Sequence, residues 1–303
     1  MATAGTLMLR AHYTDLFSER LAYIDEIMFE NYDSPSMIYP EVFNVRDSGR
    51  AYEEITEISG FGKFTQKPEG QVVDYDQLLQ GFNKRFTHIT YGKGWQMSFE
   101  AMDDDIDGVI TNAAPALSRA ARNSIEAELV SDLNGAFDVV TVPQGGFLVG
   151  GGHNLLYGGQ FSNLITGDFS QGTLETALNK FADFVDLRGE LLNIEPMKIV
   201  IPFELQWLVS EVMNSVQRSD TANNTINVLP QLQVVVWRYL TSATAWFLMS
   251  DPSQHRLLCY WRMEPVIDHA IDFDSDNAKT KMKYRLSHGP ADYKGIVGSK
   301  GGV

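Results

Sequence analysis

Residues 51–99 alternate apolar and polar side chains in the manner of strands, and the stretch GFGKFTQKPEG, residues 60–70, divides them into two arms of about 20 residues. In KRFTHITYGKGWQMSF, Phe86, His88 and Thr90 share one face and Thr87, Ile89 and Tyr91 the other. At about 3.3 Å per residue such arms extend roughly 60 Å. A compact chain of this length has a radius of gyration of only about 19 Å. A hairpin paired over most of that length reaches beyond its own body, and its edges then need other copies to cover them. The glycines of 60–70 do not make a phosphate loop. The G-x-x-x-x-G-K-S/T spacing is absent and no helix pattern follows to present backbone amides. Pro68, Glu69 and Gly70 read as turn chemistry. GGFLVGGGHNLLYGG, residues 145–159, lacks a following helix too, and reads as a surface segment.

The strongest helical signal covers 103–137, where Ile106, Val109, Ile110, Ala113, Leu117, Ala120, Ile125, Leu129, Leu133 and Phe137 form one stripe. Asp103, Asp104 and Asp105 stand at its positive end, where a carboxylate is favoured. Pro115 removes an interior backbone bond, so a break or kink is expected just before it. A second amphipathic helix is expected over 14–30, with Leu16, Leu21, Ile24 and Ile27 on one face, followed by an aperiodic arm with prolines at 35 and 40. Beyond nine glycines in 143–172, the spacing predicts a helix from Thr173, a strand at MKIVIP and a helix over Phe203–Ser215. Strands follow at LQVVVW, AWFLMS and RLLCYWRM. KTKMKYRLS alternates strictly, with Lys279, Lys281, Lys283 and Arg285 on one face and Met282, Tyr284 and Leu286 on the other. The fold class is α+β.

Charge and chemistry narrow the function. The net charge is −15, from 39 acidic and 24 basic residues, which argues against sequence-specific DNA binding. Acid is concentrated in 96–140, nine acidic residues against two basic, while 256–303 holds eight basic and six acidic. The basic face of 279–285 is therefore expected to meet carboxylates around the long helix rather than DNA. No run approaches the roughly 18 apolar residues of a membrane span, and the N-terminus lacks a secretory pattern, so no membrane partner is expected and synthesis in a cytoplasm is. The single cysteine, Cys259, lies in an apolar strand pattern and reads as a buried, inert thiol. The six histidines show no metal spacing, and His88 reads as structural or surface. A hydrolase with a metal held by His153 and the carboxylates of Asp103–Asp107 is the enzymatic alternative, but helix capping accounts for that acidic run. No catalytic set, metal site or cofactor is expected.

Several segments, RAYEEITEISGFGKFTQKPEG, FTHITYGKGW, EAMDDDIDG, VDLRGELLNIEP, DTANNTINVL and GIVGSKG, resemble in order the major capsid proteins of tailed phages with the Hong Kong 97-type fold, near the Mu-like major head subunits. The resemblance runs from about Ala51 to Gly301. It implies an N-terminal arm over 1–49, an extended hairpin over 50–94, a peripheral domain over 95–144 and 252–303 built on a spine helix, and an axial domain over 145–251. It implies hexamers and pentamers that close an icosahedral head around double-stranded DNA, with scaffold, portal and decoration proteins as partners and the virion as location. The expected intersubunit contacts are Gly60, Phe61, Gly62, Lys63, Phe64, Lys67 and Glu69 at the hairpin tip, and Leu16, Leu21, Ile24 and Ile27 in the arm. Because Met1 leads directly into the arm, a separate scaffold or none is expected, and with no identifiable partner for Lys63 or Lys67 no covalent crosslink is expected. An encapsulin-like shell around an enzyme cargo shares the fold and is the alternative.

Overall fold

The computed structural model describes residues 36–98, 109–156, 158–215, 229–272 and 277–302, without side chains for 109–114. The helix expected over 14–30, with its four arm residues, and Asp103–Asp105 lie outside the described residues. A one-turn helix α1 (Tyr39–Val42) leads to strands β1 (Asn44–Asp47), β2 (Tyr52–Ile58), β3 (Gln80–Thr87) and β4 (Ile89–Met97). Helix α2 (Val109–Asn134) follows, then β5 (Gly151–Asn154), β6 (Gln160–Ser162), β7 (Leu164–Ile165) and α3 (Gln171–Ala182). The chain continues through β8 (Lys198–Ile201), α4 (Gln206–Asn214), β9 (Gln233–Val236), β10 (Trp246–Met249), β11 (Leu257–Ile271), β12 (Ala278–Pro290) and β13 (Ile296–Ser299). The chain forms two compact units: described parts of 89–126 and 263–286 belong to the first, and those of 38–88, 127–262 and 287–302 to the second.

In the first unit β11, β12 and β4 are neighbours in one sheet. β4 pairs antiparallel with β12, with Tyr91 opposite Tyr284 and Gly94 opposite Lys281. The two tyrosine rings stack with centroids 5.2 Å apart. Beneath them Leu117 of α2 and Met282 of β12 form a small core with Trp95, Ala121 and Ile267. From Ala278 to Leu286 β12 alternates strictly, as its sequence predicts: Thr280, Met282, Tyr284 and Leu286 are buried and Lys279 and Lys281 exposed. Of the break or kink expected at Pro115, a break does not occur: α2 is helical on both sides of it. The proline forfeits a single backbone bond, and the helical residues before and after it carry the element across.

Gly94 is fixed by its sheet. A Cβ there would stand 2.6 Å from the Thr280 carbonyl oxygen and 2.9 Å from Lys281 Cβ, and neither can move without parting the ladder. Gly94→Ala is expected to lower stability by about 1–3 kcal/mol, the usual cost of overpacking; denaturant unfolding checks this, and a loss below about 0.5 kcal/mol would show that the strands separate freely.

The second unit is built on a five-stranded sheet in the order β7-β13-β10-β8-β9. Its inner strands are apolar over most of their length because both faces are covered: Ile199, Val200, Ile201, Trp246, Phe247, Leu248, Ile296 and Val297 are all buried. β8 and β9 run parallel, Lys198 opposite Gln233, with α4 between them in sequence. This is the alternating unit that the sequence predicts. α3 begins at a reciprocal cap between Ser170 and Thr173. β1 pairs parallel with β11, Asn44 opposite Leu258, and Cys259 beside it is buried with its thiol pushed up to about 12, chiefly by burial.

The strand predicted to run unbroken through 84–99 is interrupted at His88. Up to that point Phe86 and His88 are buried, whereas beyond it Tyr91, Trp95 and Met97 are the half-buried positions. The alternation shifts by one residue, and the chain passes from the second unit to the first between His88 and Ile89.

Candidate subunit interface

The hairpin is shorter as a paired ladder than its pattern suggests. β2 and β3 pair antiparallel from Tyr52 opposite Thr87 to Ile58 opposite Gln80, with an irregularity between Thr56 and Ile58. The second expected arm divides, since 89–97 pairs with β12 instead. The Ser59 N–H donates to Leu79 O at 2.9 Å and the Leu79 N–H to Ser59 Oγ at 3.0 Å, which closes the ladder. Residues 60–79 form a long loop whose only turn is held by Gln71 N–H to Pro68 O, 3.2 Å, with Gly70 at φ +78°. Its apolar side chains face outward: Phe61, Phe64, Val72, Val73, Tyr75 and Leu78 are all exposed, Phe64 completely. Exposed apolar groups in this number mark a candidate interaction surface.

The neck of the loop is fastened to the turn at 186–190 of the same unit. Asp186 Oδ1 accepts from the N–H groups of Arg188 and Glu190, at 2.7 and 3.0 Å, and presents the Arg188 side chain. Arg188 Nη1 donates to Asp76 Oδ2 at 2.6 Å and Nη2 to Gln77 O at 2.7 Å. The Gly62 N–H donates to the same Asp76 oxygen at 2.8 Å, and Lys63 Nζ lies 3.2 Å from Glu190. The Gly62 amide first, then the guanidinium, hold the Asp76 carboxyl below the usual carboxylate range. A Cβ on Gly60 would stand 3.3 Å from Asp186 Oδ2, and one on Gly62 3.4 Å from Asp76 Oδ2. The glycines of the neck thus serve close approach. Of the expected tip contacts, Gly60, Gly62 and Lys63 face their own subunit here, and Phe61, Phe64, Lys67 and Glu69 are all exposed.

At the root of the hairpin stands a buried ionic cluster. Lys294 Nζ lies 2.5 Å from Glu57 Oε1 and 3.1 Å from Asp292 Oδ2, and Gln144 Nε2 donates to Glu57 Oε2 at 2.9 Å. Burial raises the Asp292 carboxyl, with Lys294 opposing. Burial alone would lower the Lys294 ammonium, but the Asp292 and Glu57 charges outweigh it and the net direction is up. Sequence reading missed this cluster and the Arg188 clamp, because their members are distant in the chain. The one local signal was VDLRGELLNIEP, in which Asp186-Leu-Arg-Gly reads as a turn.

A family model for a phage capsid protein matches residues 83–299, more than two thirds of the chain. The chain belongs to the phage capsid protein family. No curated protein matches it. The fold of this capsid protein is shared by the capsid of the cyanophage P-SCSP1u, at 10% identity and TM-score 0.55, over 87% of this chain and 88% of that one. The mature capsid of bacteriophage PhiM1 gives 10% identity and TM-score 0.54 over 84% and 83%. The procapsid of bacteriophage JBD30 gives 14% and 0.52 over 94% and 75%.

The predicted basic strand and histidines have partners within the subunit. Among the described residues the basic face of β12 pairs within its own sheet: Lys279 with Asp272 at 2.6 Å, and Lys283 and Lys281 with Asp268 at 2.6 and 3.7 Å; Asp103–Asp105, the carboxylates expected to meet it, lie outside the described residues. Asp268 and Asp272 belong to or adjoin β11, the neighbouring strand, and same-face neighbours across strands are the nearest partners available. Arg285 is half-buried at the end of the row. His153 is buried, with Nδ1 3.0 Å from Gly145 O and Nε2 2.9 Å from Asn163 Oδ1, and its ring stacks on Tyr293 at 4.0 Å. Both ring nitrogens are therefore engaged, and burial pushes the imidazole below its ordinary value. The metal role considered for His153 has no free nitrogen to use. His88 is structural too. Ser48 gives its hydroxyl proton to Glu53 at 2.7 Å, so His88 Nε2 donates to Ser48 and Nδ1 accepts from Ser287, each at 3.0 Å.

His288 supplies a pH dependence. Its Nδ1 lies 2.8 Å from Asp132 Oδ2 and its Nε2 3.6 Å from Glu128 Oε1, both on α2. Burial would lower the imidazole, but the two carboxylates outweigh it and raise it above the ordinary value of 6.5. A raised histidine contributes stability that is complete below the unfolded value and lost as pH rises through the folded one. Unfolding midpoints of the wild type are expected to fall on the alkaline side of pH 6.5, and those of His288→Gln to be flatter there; parallel curves would refute the assignment.

Proposed function

We propose that this chain is the major capsid protein of a tailed phage, a non-enzymatic subunit that self-assembles into hexamers and pentamers of an icosahedral head around double-stranded DNA. The observation that carries the reading, alongside family membership, is the loop 60–79. It exposes seven large apolar side chains, Leu79 included, from a neck that glycines and ion pairs hold in place. Such a loop is completed by a second copy, and head-to-tail contacts of this kind close into rings. Residues 50–94 act as the extended hairpin, 95–144 and 252–303 as the peripheral domain, 145–251 as the axial domain and 1–49 as the arm. Leu16, Leu21, Ile24 and Ile27 pack the arm on a neighbour, and Asp103–Asp105 cap the spine helix. Lys67 and Glu69 pair with charges of the adjacent subunit, at about 0.2–1 kcal/mol per exposed pair. Scaffold, portal and decoration proteins are the remaining partners, DNA is met without sequence specificity, and the chain is made in the cytoplasm of a bacterial host. Light scattering and negative-stain microscopy of the purified chain, co-expressed with the scaffold if one is encoded, test this. Shells tens of nanometres across are expected, and a monomer at every concentration would overturn it.

A further inference from the structure

We propose that Arg188 is a positioning residue for assembly: it locks the neck of the loop to its own subunit, so that 64–75 leave the body in one direction before a second copy is met. This rests on the reading of the loop as the intersubunit contact. The geometry is that of a clamp. One guanidinium ties two successive positions of the returning chain, the Asp76 carboxylate at 2.6 Å and the Gln77 carbonyl at 2.7 Å. The outgoing chain is tied to the same atom, because Gly62 N–H donates to Asp76 Oδ2 at 2.8 Å. Both sides of the loop are thus gathered at one carboxylate oxygen.

The anchor is itself fixed. Asp186 Oδ1 accepts two backbone N–H groups across the turn, and the Asp186 N–H donates to Glu190 O at 2.8 Å. The Arg188 side chain is only 12% exposed, whereas Lys63 in the neighbouring pair is 83% exposed. A planar guanidinium sheltered from water holds two acceptors at a fixed angle; the lysine contributes a point charge that salt screens. Between the clamped positions 62 and 76 the chain has no β-ladder, so no other regular element sets its direction. If the loop left the neck at varying angles, each docking event would have to order it anew, and neighbouring subunits would meet at unequal angles.

The test separates the clamp from the docking reading. Amide exchange of the full-length, unassembled subunit is measured for wild type, Arg188→Ala and Arg188→Lys, together with the unfolding midpoint, and each protein is then imaged after assembly. Arg188→Ala is expected to raise exchange at Gly62 and 76–79 at least tenfold with the midpoint unchanged, and to replace uniform shells by open or irregular ones. Arg188→Lys keeps a charge for Asp76 but loses the second donor, and is expected to fall between. Unchanged exchange in Arg188→Ala would overturn the clamp. Raised exchange with shells of wild-type diameter and yield would overturn its role in assembly. A global loss of midpoint that Arg188→Lys does not recover would make the residue structural only. Failure of the docking reading shows up elsewhere, as normal shells from a subunit lacking 64–75.

Discussion

Replacing residues 64–75 by a short Gly-Ser bridge is expected to yield a folded subunit that does not form shells. The excised segment contains Phe64, Val72, Val73 and Tyr75, all exposed, so its removal takes nothing from the core and the unfolding midpoint should stay within about 0.5 kcal/mol of wild type. Assembly should suffer far more. Burying a large apolar side chain contributes about 1.5–3 kcal/mol, so four of them represent a gross loss of order 10 kcal/mol per contact, before the cost of ordering the loop. The clamp residues 60–63 and 76–79 remain, which keeps the neck intact and makes the result a statement about the reaching segment alone. Sedimentation or electron microscopy reads the outcome, and normal shells would end the proposal that this loop joins subunits.

Lys294→Met is expected to be the most damaging single substitution within the subunit. The lysine lies among Glu57, Asp292 and, through Glu57, Gln144, and it is only 11% exposed. Removing it leaves two buried carboxylates without a counter-charge, a situation that costs about 3–5 kcal/mol. The pH dependence provides a second readout. Burial has already raised the Asp292 carboxyl in the wild type, and loss of the ammonium raises it further. A carboxyl whose folded value is raised favours the folded state when protonated, so its penalty grows as pH rises through that value. The variant should accordingly regain stability on acidification from neutral pH, more than wild type does, and Glu57→Gln in the same chain should restore part of the loss. A variant within about 1 kcal/mol of wild type at neutral pH would show that water already solvates the cluster.

The elements that were legible in the sequence are those whose burial follows one period. β12 alternates between more and less buried positions as far as Leu286, and the apolar stripe of α2 follows the helical period, with Leu117, Ile125, Leu129 and Leu133 all buried. The β8-α4-β9 unit was readable because two short apolar runs bracket an amphipathic helix. What the sequence concealed was any feature that depends on which chain lies alongside. The pattern of 84–99 is regular, yet at His88 the partner changes from β2 to β12, and a period of two cannot reveal a change of partner. For the same reason the pairing of the β12 lysines with Asp268 and Asp272 was not legible, since it depends on β11 lying alongside. The candidate interface was visible in outline, through its glycines and its exposed apolar residues. Its fastening was not, because Arg188 stands more than a hundred residues from Asp76.

The position of β13 has a consequence for when the subunit can finish folding. This strand lies between β7 and β10 in the interior of its sheet, with Trp246 opposite Ser299 and Met249 opposite Ile296. Synthesis delivers the chain from its N-terminus at about 5–20 residues per second, so the sheet has an open slot until residue 299 has left the ribosome. Lys294, which neutralises the root of the hairpin, arrives in the same last segment. A chain not yet made as far as residue 299 therefore has neither a closed sheet nor a neutralised hairpin root.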